Sequence, residues 1–433
     1  MTMLPDLIWW LTIDLALITG VALAAHRASC ARHVRRMWDS STNAGSVDGL
    51  VVLCVPCKGN DLELADNLRC LFEQQRIRYE LRFIVEDAAD SAVPIIERLQ
   101  REYSDTPSRL IVAGRAEDSG QKIHNLRVAT EHLPDDCTVL AFADSDVRPD
   151  RNWLHSLTHV LTRPGIGAST GYRWFVPQRL TLPNLLVFSM NAAAAACLGR
   201  RVFNLIWGGS WAISRTHFEQ LGLREVWRGT LNDDLVATRV VRGAGLKIDF
   251  EPRCLCPSPI DVTWSQALNF IHRQLLQSRY YATGHFWWGA AAVLVQAVAW
   301  LVAVGTLLGS ALVGRVSGWA VFACVCLFAV GVFRAYVGHA TWREHFLAHE
   351  DKISVARRTE YLIGPLLTVL AGVCVVRTCF SNTMVWRGLR YRLYGGGQIM
   401  FLGRQLDDKA CPVTCSQVED KPRILPLRKN AAA

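Results

Sequence analysis

Charge is scarce in this chain. Only 20% of its 433 residues are Asp, Glu, Lys or Arg, against about 25% in soluble domains, and the mean hydropathy is +0.16. That composition excludes a disordered chain and argues against an entirely soluble one. The glycine loops of two large nucleotide-binding classes are missing. There is no G-x-x-x-x-G-K-[ST] and no G-x-G-x-x-G, so neither a P-loop nor a dinucleotide-binding reading has its phosphate cradle. There is no G-x-S-x-G either, and Gly208-Gly209-Ser210 is not a nucleophile elbow. The histidines form no H-E-x-x-H. Internal repeats and low-complexity blocks are absent. Cys54 and Cys57 form a C-x-x-C, but no matching pair follows, since Cys254/Cys256 and Cys411/Cys415 are spaced differently. Zinc takes about four ligands. The 14 cysteines are scattered, several within apolar runs, which speaks for reduced thiols rather than a disulfide framework.

Long apolar runs are what the chain has instead. LPDLIWWLTIDLALITGVALAA opens it, followed by Arg27, Arg32, Arg35 and Arg36. About 20 apolar residues span a bilayer as a helix. Basic residues after the run, not before it, mark a membrane anchor rather than a signal peptide. They also place its N-terminus outside and the following chain in the cytoplasm. Asp14 within this run is expected to face other helices, because a charge in lipid costs about 3 kcal/mol. Three further runs of spanning length cover Phe286–Gly314, Gly318–Gly338 and Tyr361–Phe380. Arg343, Lys352, Arg357 and Arg358 mark the 339–359 loop as cytoplasmic. Pro365 and Arg377 weaken the last run, which is expected to be re-entrant or interfacial and to return the basic tail to the cytoplasm. Fifteen tryptophans suit membrane–water interfaces, and the net charge of +9 is assigned to cytoplasmic loops rather than to nucleic-acid binding.

Between these runs the character is soluble α/β. GLVVLCVP, ELRFIVED, RLIVAG and CTVLAFADSD read as buried strands, and Asp61 to Gln75 and Asn125 to His132 as helices. Such alternation predicts a mostly parallel sheet covered on both faces, with ligands beyond the carboxyl ends of the strands. Two strands end in carboxylates, Glu86–Asp87 and Asp144–Asp146. Two carboxylates at i and i+2 suit Mg²⁺ or Mn²⁺ bridged to substrate phosphates, although D-S-D is also an ordinary turn. Asp233–Asp234 opens an apolar helix. It fits an N-cap with favourable dipole charge, and it also fits a general base at a cleft floor. Lys122, after a glycine-containing loop, can meet phosphate as a point charge or be a solvated lysine. SQALNFIHRQLLQSRYYATGHFWW is amphipathic and suits the membrane surface.

In order, CVPCKGND, LADNLRCLF, YELRFIVEDAAD, QKIHNL, FADSD, GGSWAISR and LNDDLVATRVVRGAG resemble the processive-type inverting glycosyltransferases. Among these the ceramide glucosyltransferase family is most similar, down to the late WRGLRYRLYGGG. The resemblance implies a GT-A fold, an α/β nucleotide-sugar-binding sheet with an N-terminal transmembrane anchor and C-terminal membrane helices. The segments expected are an anchor at 1–27, a catalytic domain at 48–262, an interfacial helix region at 263–285, membrane helices at 286–380 and a basic tail at 381–433. It implies donor binding by Asp87 (with Asp90 the competing choice), Lys122 and Asp144, metal binding by Asp144 and Asp146, and a catalytic base at Asp234 with Asp233 beside it. The family's (Q/R)-x-x-R-W motif departs here. Arg273 fits its first position, but Leu276 and Gln277 replace the Arg and Trp. Arg279, one helical turn on with Tyr280, either substitutes as a donor-binding residue or anchors an interfacial helix to lipid headgroups.

The resulting expectation is a multi-pass membrane hexosyltransferase with its catalytic domain in the cytoplasm. It would use a UDP-sugar and Mg²⁺ or Mn²⁺, moving glucose to a lipid hydroxyl such as ceramide with inversion. The alternatives are another UDP-sugar with another lipid or polysaccharide acceptor, or a non-catalytic membrane scaffold. A transporter is disfavoured by few runs and no paired intramembrane charges.

Overall fold

Short apolar runs bounded by Gly or Pro form the strands of a central sheet. They are β1 (Leu50–Pro56), β2 (Tyr79–Val85), β3 (Ser108–Val112), β4 (Cys137–Ala143), β5 (Ile166–Pro177), β6 (Ser210–Ser214) and β7 (Lys247–Ile260). The computed structural model describes residues 3–40, 47–59, 63–404 and 423–424. The strand order is β3-β2-β1-β4-β6-β5-β7. β1 to β4 pair in parallel, β5 with β7 likewise, and β6 runs antiparallel to both its neighbours. This is the mixed, GT-A-like α/β sheet that the sequence led one to expect.

Period-2 alternation divides the core. Val51, Leu53 and Val55 of β1 pack with α2 (Leu64–Phe72), α3 (Val93–Glu102) and α5 (Trp153–His159). Val52 and Cys54 face the other layer, built from α4 (Gln121–Ala129), α7 (Arg215–Gln220), α8 (Leu223–Val226) and α9 (Asp234–Gly243). α6 is Leu182–Ala195. The helix expected over 125–132 begins earlier, at Gln121, so Lys122 lies in its first turn rather than in a loop. Asn60 and Asp61 lie outside the described residues.

Among the described residues, four helices are long and apolar enough to cross a membrane. They belong to α1 (Met3–Ser40), α11 (Thr283–Leu312), α12 (Gly318–Ala340) and α13 (Glu350–Cys379). α10 (Trp264–Tyr281) leads into them, its start fixed by a Thr263–Gln266 capping box. Ile13 and Ala16 of α1 pack on Ala299, Ala303, Ala323 and Leu327. Asp14 does not face these helices. It is exposed, because small and apolar residues fill the packed side of α1.

α13 starts well before Tyr361 and contains Pro365. It is fastened near its start to the α/β unit and at its end to α10. Lys352 Nζ donates to Gln178 Oε1 at 2.6 Å near its start. At its other end Arg279 Nη1 donates to the carbonyls of Thr378 and Ser381 at 2.9 and 3.0 Å.

The segment after Ser381 is not a loose tail. β8 (Thr383–Trp386), β9 (Leu389–Leu393), β10 (Ile399–Arg404) and β11 (Arg423–Ile424) form a second, antiparallel sheet in the order β11-β10-β9-β8. Met384, Leu389, Tyr391, Leu393 and Ile399 are buried in the core that also holds α4 and α9. Burying such a side chain contributes about 1.5–3 kcal/mol before entropy is counted, which docks the sheet on the central one. Cys411, Cys415 and the LPLRKNAAA end lie outside the described residues.

Candidate active site

The carboxyl end of β4 delivers Asp144 and Asp146 to the edge of the sheet. Across from them, the first turns of α4 and α9 bring in Lys122 and the Asp233–Asp234 pair. Lys122 Nζ lies 2.9 Å from Asp144 Oδ1 and 3.0 Å from Asp233 Oδ1. Asp234 Oδ2 accepts from the backbone N–H of Gly208 at 2.6 Å. A Cβ on Gly208 would sit 2.9 Å from Lys122 Nζ and 3.0 Å from both Asp233 Oδ2 and Asp234 Oδ2. One glycine backbone thus floors a chain of three carboxylates and one ammonium. Asp233 Oδ2 is buried without a hydrogen-bond partner, and a lone acceptor of this kind is costly unless a ligand completes it.

The charges set one another. Burial, and then the charge of Asp233, push the Asp234 carboxyl up to about 7. Burial raises Asp233 as well, against the pull of Lys122. Burial alone would raise Asp144 too, but Lys122 and Arg173 outweigh it and hold it below the usual carboxylate range. Burial disfavours the Lys122 ammonium, yet Asp144, Asp233 and Asp234 keep it protonated well beyond the ordinary lysine range. Carboxylates driven in opposite directions by their surroundings are the pattern of an acid–base site.

Arg173, on β5, was not among the expected residues. Its Nη1 lies 3.1 Å from Asp146 Oδ2, and its Nη2 lies 3.2 Å from Asp146 Oδ1 and 3.3 Å from Asp144 Oδ2. The signal available was an arginine inside the aromatic strand segment Tyr172–Phe175, where a charge is out of place unless paired. Arg273 stacks over Phe270 and Trp386 at 5.4 and 5.1 Å, and burial lowers its guanidinium to about 10. Arg279 does not join them. Its guanidinium holds the carbonyls that end α13, so the expected substitution for the missing motif arginine is not what the geometry shows. Residues at i and i+3 share a helix face only roughly, and α13 offers Arg279 unpaired carbonyls.

At the end of β2, Asp87 is exposed and its Oδ1 accepts from Ala89 N at 2.9 Å. Asp90 accepts from Gly59 N and Ala92 N at 2.8 and 2.9 Å, which commits it to shaping loops. The C-terminal sheet roofs this side. Arg404 pairs with Glu86, Lys58 joins Glu86 at 2.9 Å, and Arg387 Nη1 donates to the Lys58 carbonyl at 3.3 Å. Tyr281 Oη donates to Gly397 O at 2.6 Å and accepts from Leu231 N at 2.9 Å, three residues before Asp234.

Asp144 and Asp146 offer oxygen donors only, the set that Mg²⁺ and Mn²⁺ take when one or two carboxylates and substrate phosphates hold them together. No cluster of three or more His, Cys, Asp or Glu side chains disposed around a metal occurs among the described residues.

A family model described as Glycosyl transferase family 21 matches residues 13–399. Among solved structures, the mannosyltransferase PcManGT from Pyrobaculum calidifontis, in complex with GDP-Man and Mn²⁺, is 15% identical. The match covers 84% of this chain and 99% of that one, with a TM-score of 0.42. GalNAc-T7 with UDP, GalNAc and Mn²⁺ is 11% identical, with 52% and 48% covered and a TM-score of 0.37.

Proposed function

The chain belongs to glycosyltransferase family 21, the ceramide glucosyltransferase family, and from that premise we propose that it moves glucose from UDP-glucose to a lipid hydroxyl such as ceramide, with inversion. The observation that carries this reading is Asp234, a half-buried carboxylate raised to about 7 at the floor of a cationic and acidic cleft. A base with that value is half ionised near neutrality and matched to taking a hydroxyl proton.

The reaction is a single displacement. The acceptor oxygen forms its bond to the anomeric carbon while the bond from that carbon to the diphosphate oxygen breaks. UDP leaves with the electron pair, and Asp234 receives the acceptor proton. Asp233 stays paired with Lys122 and raises Asp234 by its charge. Lys122, Arg173 and Arg273 supply positive charge where the diphosphate becomes more negative. Asp87 at the end of β2 is positioned for the nucleoside side of the donor. A divalent cation held by Asp144 and Asp146 adds further charge stabilisation when bound.

The lipid acceptor is supported by exposed aromatics where the chain enters its membrane-length helices. Trp264 opens α10, and Trp287 and Trp288 lie near the start of α11, and Trp favours membrane interfaces. The reading is therefore of an integral, multi-pass membrane enzyme with its catalytic unit on the cytoplasmic face. Membranes containing the protein, incubated with labelled UDP-sugars and then extracted and analysed by mass, should yield a hexosylated lipid from UDP-glucose. Label confined to aqueous polymer, or no label in any product, would overturn the lipid acceptor.

A further inference from the structure

All four oxygens of the Asp144–Asp146 pair are taken by cationic side chains. Arg173 holds three of them at 3.1–3.3 Å and Lys122 holds the fourth, Asp144 Oδ1, at 2.9 Å. A divalent cation takes such oxygens at about 2.0–2.1 Å, and with the guanidinium fork in place it would have only their remaining lone pairs, beside a like charge. Entry of a metal therefore favours departure of the guanidinium.

The surroundings give it somewhere to go. The Arg173 guanidinium lies 4.7 Å from the Trp207 ring centroid and 5.6 Å from that of Phe175. Flat aromatic faces hold a cation without fixing its bearing. A guanidinium is a planar fork that matches phosphate oxygens as well as carboxylates. Arg273 stands nearby with no carboxylate within 4.0 Å among the described residues, so the cleft already holds a cation with no anion of its own.

We propose that Arg173 is the resident counter-ion of the Asp144–Asp146 pair, and that it transfers to the donor's diphosphate when a divalent cation takes its place. Metal and nucleotide then bind together, and neither binds well alone. This rests on the nucleotide-sugar reading above. It also supplies the arginine that the departed (Q/R)-x-x-R-W motif lacks, from a strand rather than from α10.

The test is Mn²⁺ binding by the full-length protein in detergent, followed by electron paramagnetic resonance with and without UDP. UDP binding is read separately by calorimetry. The wild type should bind Mn²⁺ at least tenfold tighter with UDP than without. Arg173→Gln, without UDP, should bind Mn²⁺ at least tenfold tighter than the wild type does, because the carboxylates are no longer occupied. Should that variant not fold, Arg173→Lys serves, since one ammonium leaves carboxylate oxygens open, and a gain of about threefold is expected. If neither variant gains Mn²⁺ affinity while both retain UDP, the counter-ion role is overturned and the nucleotide reading stands. A wild type that binds no UDP at all overturns both.

Discussion

As the proposed base, Asp234 would serve chemistry at the expense of stability. Its carboxyl is raised to about 7 by burial and by Asp233, so the protein is most comfortable with it protonated. The stabilising contribution of that proton is complete below the unfolded value near 4 and is lost as pH climbs through about 7. Activity runs the opposite way, since only the ionised form accepts a proton. A kcat/KM profile should therefore rise through about pH 7, and Asp234→Asn should abolish transfer while leaving UDP binding close to normal. The same variant should melt higher than the wild type at pH 8 and no higher at pH 4. Turnover above about a tenth of wild type would remove Asp234 as the base. Arg279→Leu separates another role. Two hydrogen bonds to the end of α13 predict a loss of about 1–3 kcal/mol in unfolding experiments, with kcat changed less than about threefold. A hundredfold fall in kcat at unchanged stability would return Arg279 to the chemistry. The acidic residues and Lys122 were readable from sequence because each sits where a strand ends or a helix starts. Arg173 was not, because its meaning depends on which strand lies beside β4, and chain order says nothing of the crossover that places β5 there. Gly208 escaped for a similar reason, since its need to be glycine comes from Lys122 and Asp234, far away in sequence.

At the scale of elements, Tyr281 is the joint between three of them. One hydroxyl ties the end of α10 to the C-terminal sheet and to the backbone just ahead of α9. Tyr281→Phe keeps the packing and leaves Leu231 N and Gly397 O without their partner. That should cost about 1–3 kcal/mol and lower kcat by misplacing Asp234, with KM for the donor less affected. Wild-type kcat in a folded variant would show that the joint is not felt at the site. The first four strands and the apolar runs were plain in the sequence because each has a single strong period. The second sheet was hidden by its charge, for Leu389-Arg390-Tyr391-Arg392-Leu393 reads as a basic tail. Yet its residues are alternately buried and exposed, the period of a half-covered strand, and that alternation was the signal passed over. Arginines on the open face conceal an apolar face that docks.

At the scale of the whole molecule, four membrane-length helices among the described residues frame the α/β unit. α1, α11, α12 and α13 are all of spanning length, yet α13 is held near its start by Gln178 and at its end by Arg279 of α10, and the second sheet packs into the core of the first. Single cysteines introduced in a background stripped of accessible thiols test this with an impermeant maleimide on intact cells. Val316→Cys, between α11 and α12, should label from outside. Ser91→Cys and Arg390→Cys should label only after permeabilisation. Outside labelling of Arg390→Cys would mean that α13 crosses. The position of the second sheet also has a consequence in time. Its strands are the last described part of the chain to be synthesised, after every apolar helix, yet they bring the partners of Glu86, Arg273 and Tyr281. A nascent or truncated chain therefore carries all the acidic residues without the roof over them. On the proposed function, competence would arrive only with completion, and a chain ending before Thr383 should not consume the sugar donor.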